Sequence, residues 1–573
     1  MIILDELPFR HVEKEGFKKF MERACPMFKI PCRKTIREDA FRLFLAQKDQ
    51  LKDYFKTKCG GKVSITTDSW TSCQNLNYMC ITAHFVGKDW KLYKKVISFC
   101  KLTSHKGIDI GNAIVYCLEE WGVKSVYTVT VDNASSNDTA ILQLRDRLEE
   151  WGTNIVGGKY LHMRCIAHIV NLIVSDGLNE MGMSIRRVRE AVRWVRSSPS
   201  RLAKFKDCVD FHNIQSKKLL CLDVPTRWNS TYFMLEAAVI FEDAFSSLER
   251  KDREYKPELK SKKYKNQEIG IPQHEDWKNA RVMIKYLKFF HDLTLLASTT
   301  SVVMAHRFLQ QFGKVFYHID KMLNSKDDDI VRMGMKMKAK VDKYWCEKGG
   351  LNLRMNRMVY VAVVLDPRHK LNYPEHIWKK ICGESRASEL VKELTSELEK
   401  LFEYYKARMP IPPPSSPKVA VVNLPTSRRE SKSSDDDDSD DDDIDIDEDY
   451  RRPQLGETKT ELDKYLAHPR EDDDGAPEKF DVLNWWKVNA MRYPILTEMA
   501  KDVFAIPMST VPSESAFSTS GRVLDSFRSS LHPKIVEALI CSQDWLRSSS
   551  CEFNSNGVDD DDYEDEDAFV NGK

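Results

Sequence analysis

Between residues 62 and 131 the apolar positions fall in short runs rich in β-branched and aromatic residues. Residues 62–67 (KVSITT), 78–86 (YMCITAHFV, which alternates in part) and 90–100 (WKLYKKVISFC) read as three strands. The period then changes. In 109–121 the residues Ile110, Ile114 and Leu118 recur four apart, as on one face of a helix. A fourth strand follows at 125–131 (SVYTVTV), then a helix over 136–151 that Ser136 or Asn137 is placed to cap. Three strands, a helix, a strand and a helix fit several α/β folds.

From 179 to 405 the pattern is mostly that of long amphipathic helices, clearest over 185–197, 229–249, 277–298, 302–323 and 388–405. Residues 358–365 (MVYVAVVL), ending at Asp366 and Pro367, form a buried apolar run. Residues 409–417, with Ser415 and Ser416, lead into an Asp tract and read as an unfolded linker. Order resumes at 461–466 and runs through 480–546, and no internal repeat is found.

Composition narrows the class. The 573 residues are 42% hydrophobic and 10% aromatic, which excludes wholesale disorder. No run approaches the ~18 apolar residues that cross a bilayer, and residues 1–10 are too short and acidic for a signal peptide. The 14 cysteines lack regular spacing and read as reduced thiols of the cytosol or nucleus. The net charge of +1 hides a segregation, because 435–449 carries 12 acidic residues and 559–567 carries 8, with no Lys or Arg in either. Without those tracts 88 basic face 67 acidic residues, a surplus of +21 that suits a polyanion partner. The tracts themselves read as solvated tails or as competitors for the basic surface.

Two aspartates leave strands, Asp68 in Thr67-Asp68-Ser69-Trp70 and Asp132 in Val131-Asp132-Asn133-Ala134. Ligands of open α/β sheets collect at the carboxyl ends of strands, so the pair is placed to hold a hard divalent cation. The plainer reading is that both are turn formers or caps.

Several segments resemble the hAT superfamily of cut-and-paste DNA transposases, especially its plant RICESLEEPER-like branch. They are 66–72 (TTDSWTS), 131–138 (VDNASSND), 164–174 (RCIAHIVNLIV), 223–232 (DVPTRWNSTY), 362–370 (AVVLDPRHK) and much of 480–546, including IPMSTVPSESAFSTSGRVLDSFRSSL. The resemblance implies an α/β ribonuclease-H-like mixed-sheet core interrupted by a large all-helical insertion, with a C-terminal helical dimerisation segment. It also implies a DDE-type catalytic triad. Asp68 and Asp132 match the first two acids, and Glu514 in PSESAFS matches the third; together they would bind Mg²⁺ or Mn²⁺. Taken alone, Glu514 reads as an ordinary first-turn helix glutamate.

By the same resemblance, Cys165 and His168 match a C-x-x-H motif near the catalytic centre. With two ligands and no second pair, a structural zinc is not expected. Trp228 matches a tryptophan that stacks on a flipped base, although a core role is equally open from the residue alone. Arg227 is a candidate phosphate contact. Leu483, Trp485, Trp486, Tyr493 and Leu496, with the pairs Ile535/Leu539 and Val536/Ile540, are expected to serve core, homodimer interface or both.

Branch members begin with a BED zinc finger, whose ligand spacing His11, Cys25, Cys32 and Cys59 do not supply. Residues 2–44 resemble the segment after that finger, so the chain is expected to be truncated. Nonspecific DNA binding then falls to basic segments such as 186–196 and 251–265, which equally read as solvated helix faces; 251–265 is also a weak nuclear-targeting candidate.

The expected division is 1–60 helical segment, 61–228 first part of the core and 229–405 helical insertion. It continues with 406–460 linker, 461–548 dimerisation domain completing the core, and 549–573 acidic tail. Two functions stay open: a nuclear, dimeric hAT-like transposase acting on DNA, or a domesticated non-catalytic chromatin or transcription factor. A stand-alone nuclease fits less well, and a heterodimerising inhibitor is a further possibility.

Overall fold

The four strands expected between 62 and 131 form, and a fifth joins them. β1 (Val63–Thr71), β2 (Asn77–Val86) and β3 (Leu92–Lys101) make an antiparallel meander. β4 (Val126–Val131) runs parallel to β1, and the three-residue β5 (His162–Arg164) runs parallel to β4, giving the order β3-β2-β1-β4-β5. The computed structural model describes residues 1–57, 59, 61–225, 227–299, 302–347, 350–351, 355–409, 459–472, 480–524 and 531–553. The Asp-rich tracts and most of the expected linker lie outside the described residues.

Helices α1 (Glu15–Ala24) and α2 (Arg33–Thr57) precede the sheet. α3 (Gly107–Trp121) and α4 (Ser135–Glu150) flank β4 in sequence and pack on each other. A helical layer follows: α5 (Ile166–Glu180), α6 (Gly182–Arg196), α7 (Pro199–Phe211), α8 (Trp228–Ile240), α9 (Glu242–Lys251), α10 (Tyr255–Ser261) and α11 (His274–Ser298). It continues with α12 (Phe308–Leu323), α13 (Asp328–Tyr344), α14 (Met358–Val364), α15 (Asn372–Cys382) and α16 (Glu384–Lys406). The C-terminal part supplies α17 (Glu461–Ala467), α18 (Val482–Val488), α19 (Pro494–Phe504), α20 (Val511–Val523) and α21 (Pro533–Phe553). The fold is therefore the expected mixed α/β arrangement.

Some elements differ from the sequence reading. α4 starts at Ser135 with Ala134 as its N-cap, so neither Ser136 nor Asn137 caps it. The Asn137 amide instead turns back to Asp132. The periodic stretch 229–249 breaks at Phe241 into α8 and α9. The helix expected over 302–323 begins at Phe308, after a 3₁₀ turn at Ala305–Arg307. The apolar run 358–365 is the helix α14, buried at every position.

Three buried polar joints hold the C-terminal part against the rest. The last carbonyls of α14 have no intrahelical partner. Tyr465 donates its hydroxyl to Val364 O at 2.8 Å, and Trp486 donates its indole N–H to Leu365 O at 2.9 Å. Beside them Arg368 forms a bidentate pair with buried Asp366 (3.0 and 2.7 Å), and the Lys370 ammonium donates to Tyr465 O (2.7 Å), His468 O and Pro469 O. At the second joint Asp502 accepts from the Lys62 ammonium at 2.7 Å and from the Tyr405 hydroxyl, tying the start of β1 and the end of α16 to α19. Gly61 permits that approach, since a Cβ there would lie 2.2 Å from Asp502 Oδ1.

The third joint closes the outer edge of the sheet. Asp544 and Glu537 of α21 accept from the N–H groups of Val96 (2.8 Å) and Phe99 (3.4 Å) in β3. Trp545 of α21 donates to Val96 O at 2.8 Å, and Trp121 of α3 to Ile97 O at 2.7 Å. An unpaired edge strand invites association with another chain. Here side chains satisfy much of it.

Candidate active site

The register of β1 against β4 places the first two acids. Thr66 pairs with Thr130 in the parallel ladder, so Asp68 and Asp132, each two residues further on, sit at the same height. Asp132 follows the end of β4, but Asp68 lies inside β1, opposite Cys80 of β2, because β1 runs on to Thr71 instead of ending before Asp68 as the sequence suggested. Adjacent strands lie about 4.8 Å apart, and residues two apart share a face. Asp68 is half-buried and accepts from the N–H of Ser69 at 2.7 Å. Asp132, also half-buried, accepts through Oδ1 from Ala134 N (2.9 Å) and from the Asn137 side-chain amide.

Glu514 arrives from the far end of the chain. The segment before α20 is pinned to the sheet by three contacts: Thr130 Oγ1 donates to Pro507 O (2.8 Å), Ile166 N donates to Met508 O (3.0 Å), and Thr510 N donates to Cys165 Sγ (3.4 Å). Ser513 then places its hydroxyl 2.9 Å from that of Thr66 in β1 and 3.4 Å from that of Thr82 in β2. One residue later Glu514 projects from the first turn of α20, exposed, and its Oε1 accepts from the Thr510 hydroxyl at 3.0 Å.

The electrostatics show that the three carboxylates share one neighbourhood. Burial, then the charge of Glu514 and after it that of Asp132, push the Asp68 carboxyl up to about 7 against the pull of the Ser69 N–H. No cationic side chain among the described residues contributes to that shift. Each acid commits one oxygen to a local hydrogen bond, and Asp68 Oδ2, Asp132 Oδ2 and Glu514 Oε2 accept nothing among the described residues. Uncommitted carboxylate oxygens without a compensating cation suit a hard divalent ion. As they stand, however, no three His, Cys, Asp or Glu side chains among the described residues are grouped closely enough to hold one ion.

The other sequence candidates separate. Cys165 is buried at the N-cap of α5, where its sulfur accepts from His168 N and Thr510 N, both at 3.4 Å, and burial pushes its thiol up to about 11. It is a packing joint between α5 and the segment from α19 to α20. His168 is half-buried one turn into α5. Trp228 is only 4% exposed, packed in the helical core at the start of α8, and is not among the residues lining the acidic pocket. Arg227, the N-cap of α8, is exposed. The motif around them is anchored by Asp223, which receives a bidentate pair from Arg189 (2.6 and 2.5 Å) and the Thr231 hydroxyl (2.7 Å).

The basic segments are largely engaged within the chain. Arg187 pairs with Asp276, Arg193 and Lys262 with Glu190, and Lys256 with Glu249. In the C-terminal part, Leu483, Trp486, Tyr493 and Leu496 are buried within this chain, while Trp485 is half-buried and donates to Glu471 at 3.0 Å. The apolar side chains exposed there are Val488 and Met491. Among the described residues no helix is long and apolar enough to cross a membrane.

Residues missed by the sequence reading are Asn137, Thr510 and Ser513, which hold the acids or bring them together. All three lie inside the quoted motifs, and short polar residues flanking an acid were the available signal.

Comparison with known proteins agrees with this architecture. Family profiles match in chain order: a ZBED1 RNase-like domain at 66–160, a ZBED1 RNase-like helical domain at 163–286, a hAT-like transposase RNase-H fold at 306–405, and the hAT family C-terminal dimerisation region at 461–546. The zinc finger BED domain-containing protein RICESLEEPER 2 of Oryza sativa subsp. japonica is 32% identical over 96% of this chain and 73% of its own length. The zinc finger BED domain-containing protein DAYSLEEPER of Arabidopsis thaliana is 29% identical over the same shares. A Zea mays relative bearing an AC transposase name is 35% identical, and the chain spans 64% of its length. With these matches following the fold from β1 to α21, the chain belongs to the hAT transposase family.

Proposed function

We propose that the chain is a DNA strand-processing enzyme of the transposase type, with Asp68, Asp132 and Glu514 as the ligands of a divalent cation. The observation that carries this reading is that the charges of Glu514 on α20 and Asp132 after β4 both act on Asp68 of β1, with no cationic side chain among the described residues acting on it. A bound Mg²⁺ or Mn²⁺ supplies Lewis-acid activation of water and of the phosphodiester. The protein's own part is positional. Asn137 and the Ala134 N–H orient Asp132, Thr510 orients Glu514, and the Ser513–Thr66 contact sets the distance of α20 from β1.

The same reading takes 61–228 and 461–548 as one catalytic unit, with 229–405 inserted between them. DNA is the partner. Arg227 and His168 are candidate phosphate contacts and Trp228 a candidate base-stacking residue, the last requiring α8 to release a buried ring. Two copies pair through 461–548, and the work is nuclear.

The spacing of the acids, which do not group into a ligand set as they stand, favours a second reading: a domesticated relative that binds DNA and dimerises without cutting. The test is Mg²⁺- or Mn²⁺-dependent nicking of labelled duplex DNA by the purified protein beside Asp132→Ala. Cleavage lost in the variant supports the enzyme. DNA binding and dimerisation with no cleavage support the second reading.

A further inference from the structure

Beside the acids the structure leaves an open pocket whose lining includes Thr67, Asp68, His105, Asp132, Ser136 and Asn137. One wall is acidic and belongs to the proposed cation site. The rest of the lining, with Thr67, His105 and Ser136, has no assigned role, and its donors suit an anion.

Helix α3, of 15 residues, reaches the lining through Ile110, and α4, of 16 residues, through Ser136 and Asn137. Neither N-cap residue, Lys106 or Ala134, caps its helix with a side chain, and at α4 Asp132 takes up the Ala134 N–H while the Ser136 end stays in the lining. Gly107 brings the two N-termini together, because a Cβ there would stand 2.4 Å from Ser136 O. Helix N-termini carry partial positive charge and free N–H groups. The acids of their first turns are turned to other partners: Asp138 to Arg164 at 3.0 Å, and Asp109 to the Ser104 hydroxyl.

A second observation points to a ligand independently of the helices. Thr67 is 3% exposed and lines the pocket, yet its buried hydroxyl has no hydrogen-bond partner among the described residues. Its neighbour Thr66 is engaged with Ser513, and strand alternation sends Thr67 the other way. A buried hydroxyl without a partner carries a desolvation cost that a ligand oxygen would relieve. His105 stands at the pocket mouth, exposed, immediately before α3.

We propose that His105 contacts a non-bridging oxygen of a DNA phosphodiester seated in this pocket, with the Thr67 hydroxyl and the first turns of α3 and α4 completing the phosphate wall. This rests on the strand-processing reading above and deepens it. The acids alone would repel a phosphodiester; donors in the rest of the lining offset that repulsion and fix which phosphate faces the acids.

The test reads His105 directly in the full-length protein. Diethyl pyrocarbonate modifies accessible imidazoles, and mass spectrometry follows His105 with and without a saturating short duplex in EDTA, with saturation checked by fluorescence anisotropy. His274, whose side chain is 85% exposed at the start of α11, is the internal control. Expected is protection of His105 with His274 unchanged. Bound DNA that leaves His105 reactive overturns the proposal, as does failure to bind DNA at all. Protection without any nicking keeps the phosphate site and removes the enzymatic reading; nicking without protection does the reverse. Where nicking occurs, His105→Ala slows it about tenfold or more at saturating DNA, as for a lost hydrogen bond to a charged group. His105→Gln, which keeps an N–H donor, restores most of the rate. Equal rates in wild type and His105→Ala overturn the proposal.

Discussion

The hydroxyls of Thr66 and Ser513 meet at 2.9 Å across a sequence separation of 447 residues, in a fully buried position between β1 and α20. Ser513→Ala leaves Thr66 and Thr82 without this partner inside the core. The expected cost is about 1–3 kcal/mol, the usual consequence of an orphaned buried hydroxyl, read as a lower urea midpoint. If α20 is positioned by this contact, nicking activity falls by more than the stability loss explains.

Asp68 makes stability depend on pH. Its carboxyl sits at about 7 in the folded chain against an ordinary 3.8, so between those values the folded state keeps a proton that the unfolded chain has released. The resulting stabilisation is complete below 3.8 and is lost as pH rises through about 7. Asp68→Asn mimics the protonated form. In EDTA its thermal midpoint should exceed that of wild type by about 1–2 °C near pH 8, a modest gap because Asp68 is only half-buried, and the gap should narrow as pH falls below about 7 and close only near 3.8. A constant gap at all pH values would count against the shift.

Divalent cations should stabilise the folded protein through the same acids. At a hundredfold excess over Kd, Mg²⁺ is expected to add about 2.7 kcal/mol to wild type. Asp132→Ala should lose that increment in a thermal melt, whether or not the protein cuts DNA.

Trp228 separates two roles by its burial. As a core side chain, its replacement by Ala costs about 3–5 kcal/mol and broadens or lowers the thermal transition, while Trp228→Phe largely preserves it. A base-stacking role without a core role would leave Trp228→Ala as stable as wild type. The 4% exposure favours the first outcome.

Arg368→Met should strip the buried Asp366 of its bidentate cation, leaving only the backbone N–H of residue 368 and the nearby His306 and His369 rings, at a cost of about 3–5 kcal/mol. The damage is local to the joint with 459–472, so limited proteolysis should cut that segment first. Adding Asp366→Leu should recover much of the loss, because the pair is then replaced by apolar side chains.

The first four strands were legible because β-branched residues cluster between 62 and 131. β5 was not: its three residues HMR carry no periodicity, and only its ladder to β4 makes it a strand. The break at Phe241 escaped notice because no Gly or Pro marks it; the apolar period simply continues from α8 into α9. Asp132 was readable as a strand-end acid, since β4 stops one residue before it. Asp68 was not, because Ser69, Trp70 and Thr71 carry the ladder to β2 past it. Glu514 was legible only through resemblance, because nothing local distinguishes it from any glutamate in a first helical turn. Its setting depends on Thr66, Thr130 and Cys165, contacts that no sequence window contains.

The arrangement also sets an order of events during synthesis. β1 to β5 leave the ribosome long before α20 and α21, so for most of translation the sheet lacks Glu514 and the α21 side chains that cover β3. A chain ending before Val511 keeps only Trp121 of α3 on that outer strand, leaving the N–H groups of Val96 and Phe99 open to another chain. Such a product is prone to self-association, so the message must be read almost to its end before the sheet edge is sealed.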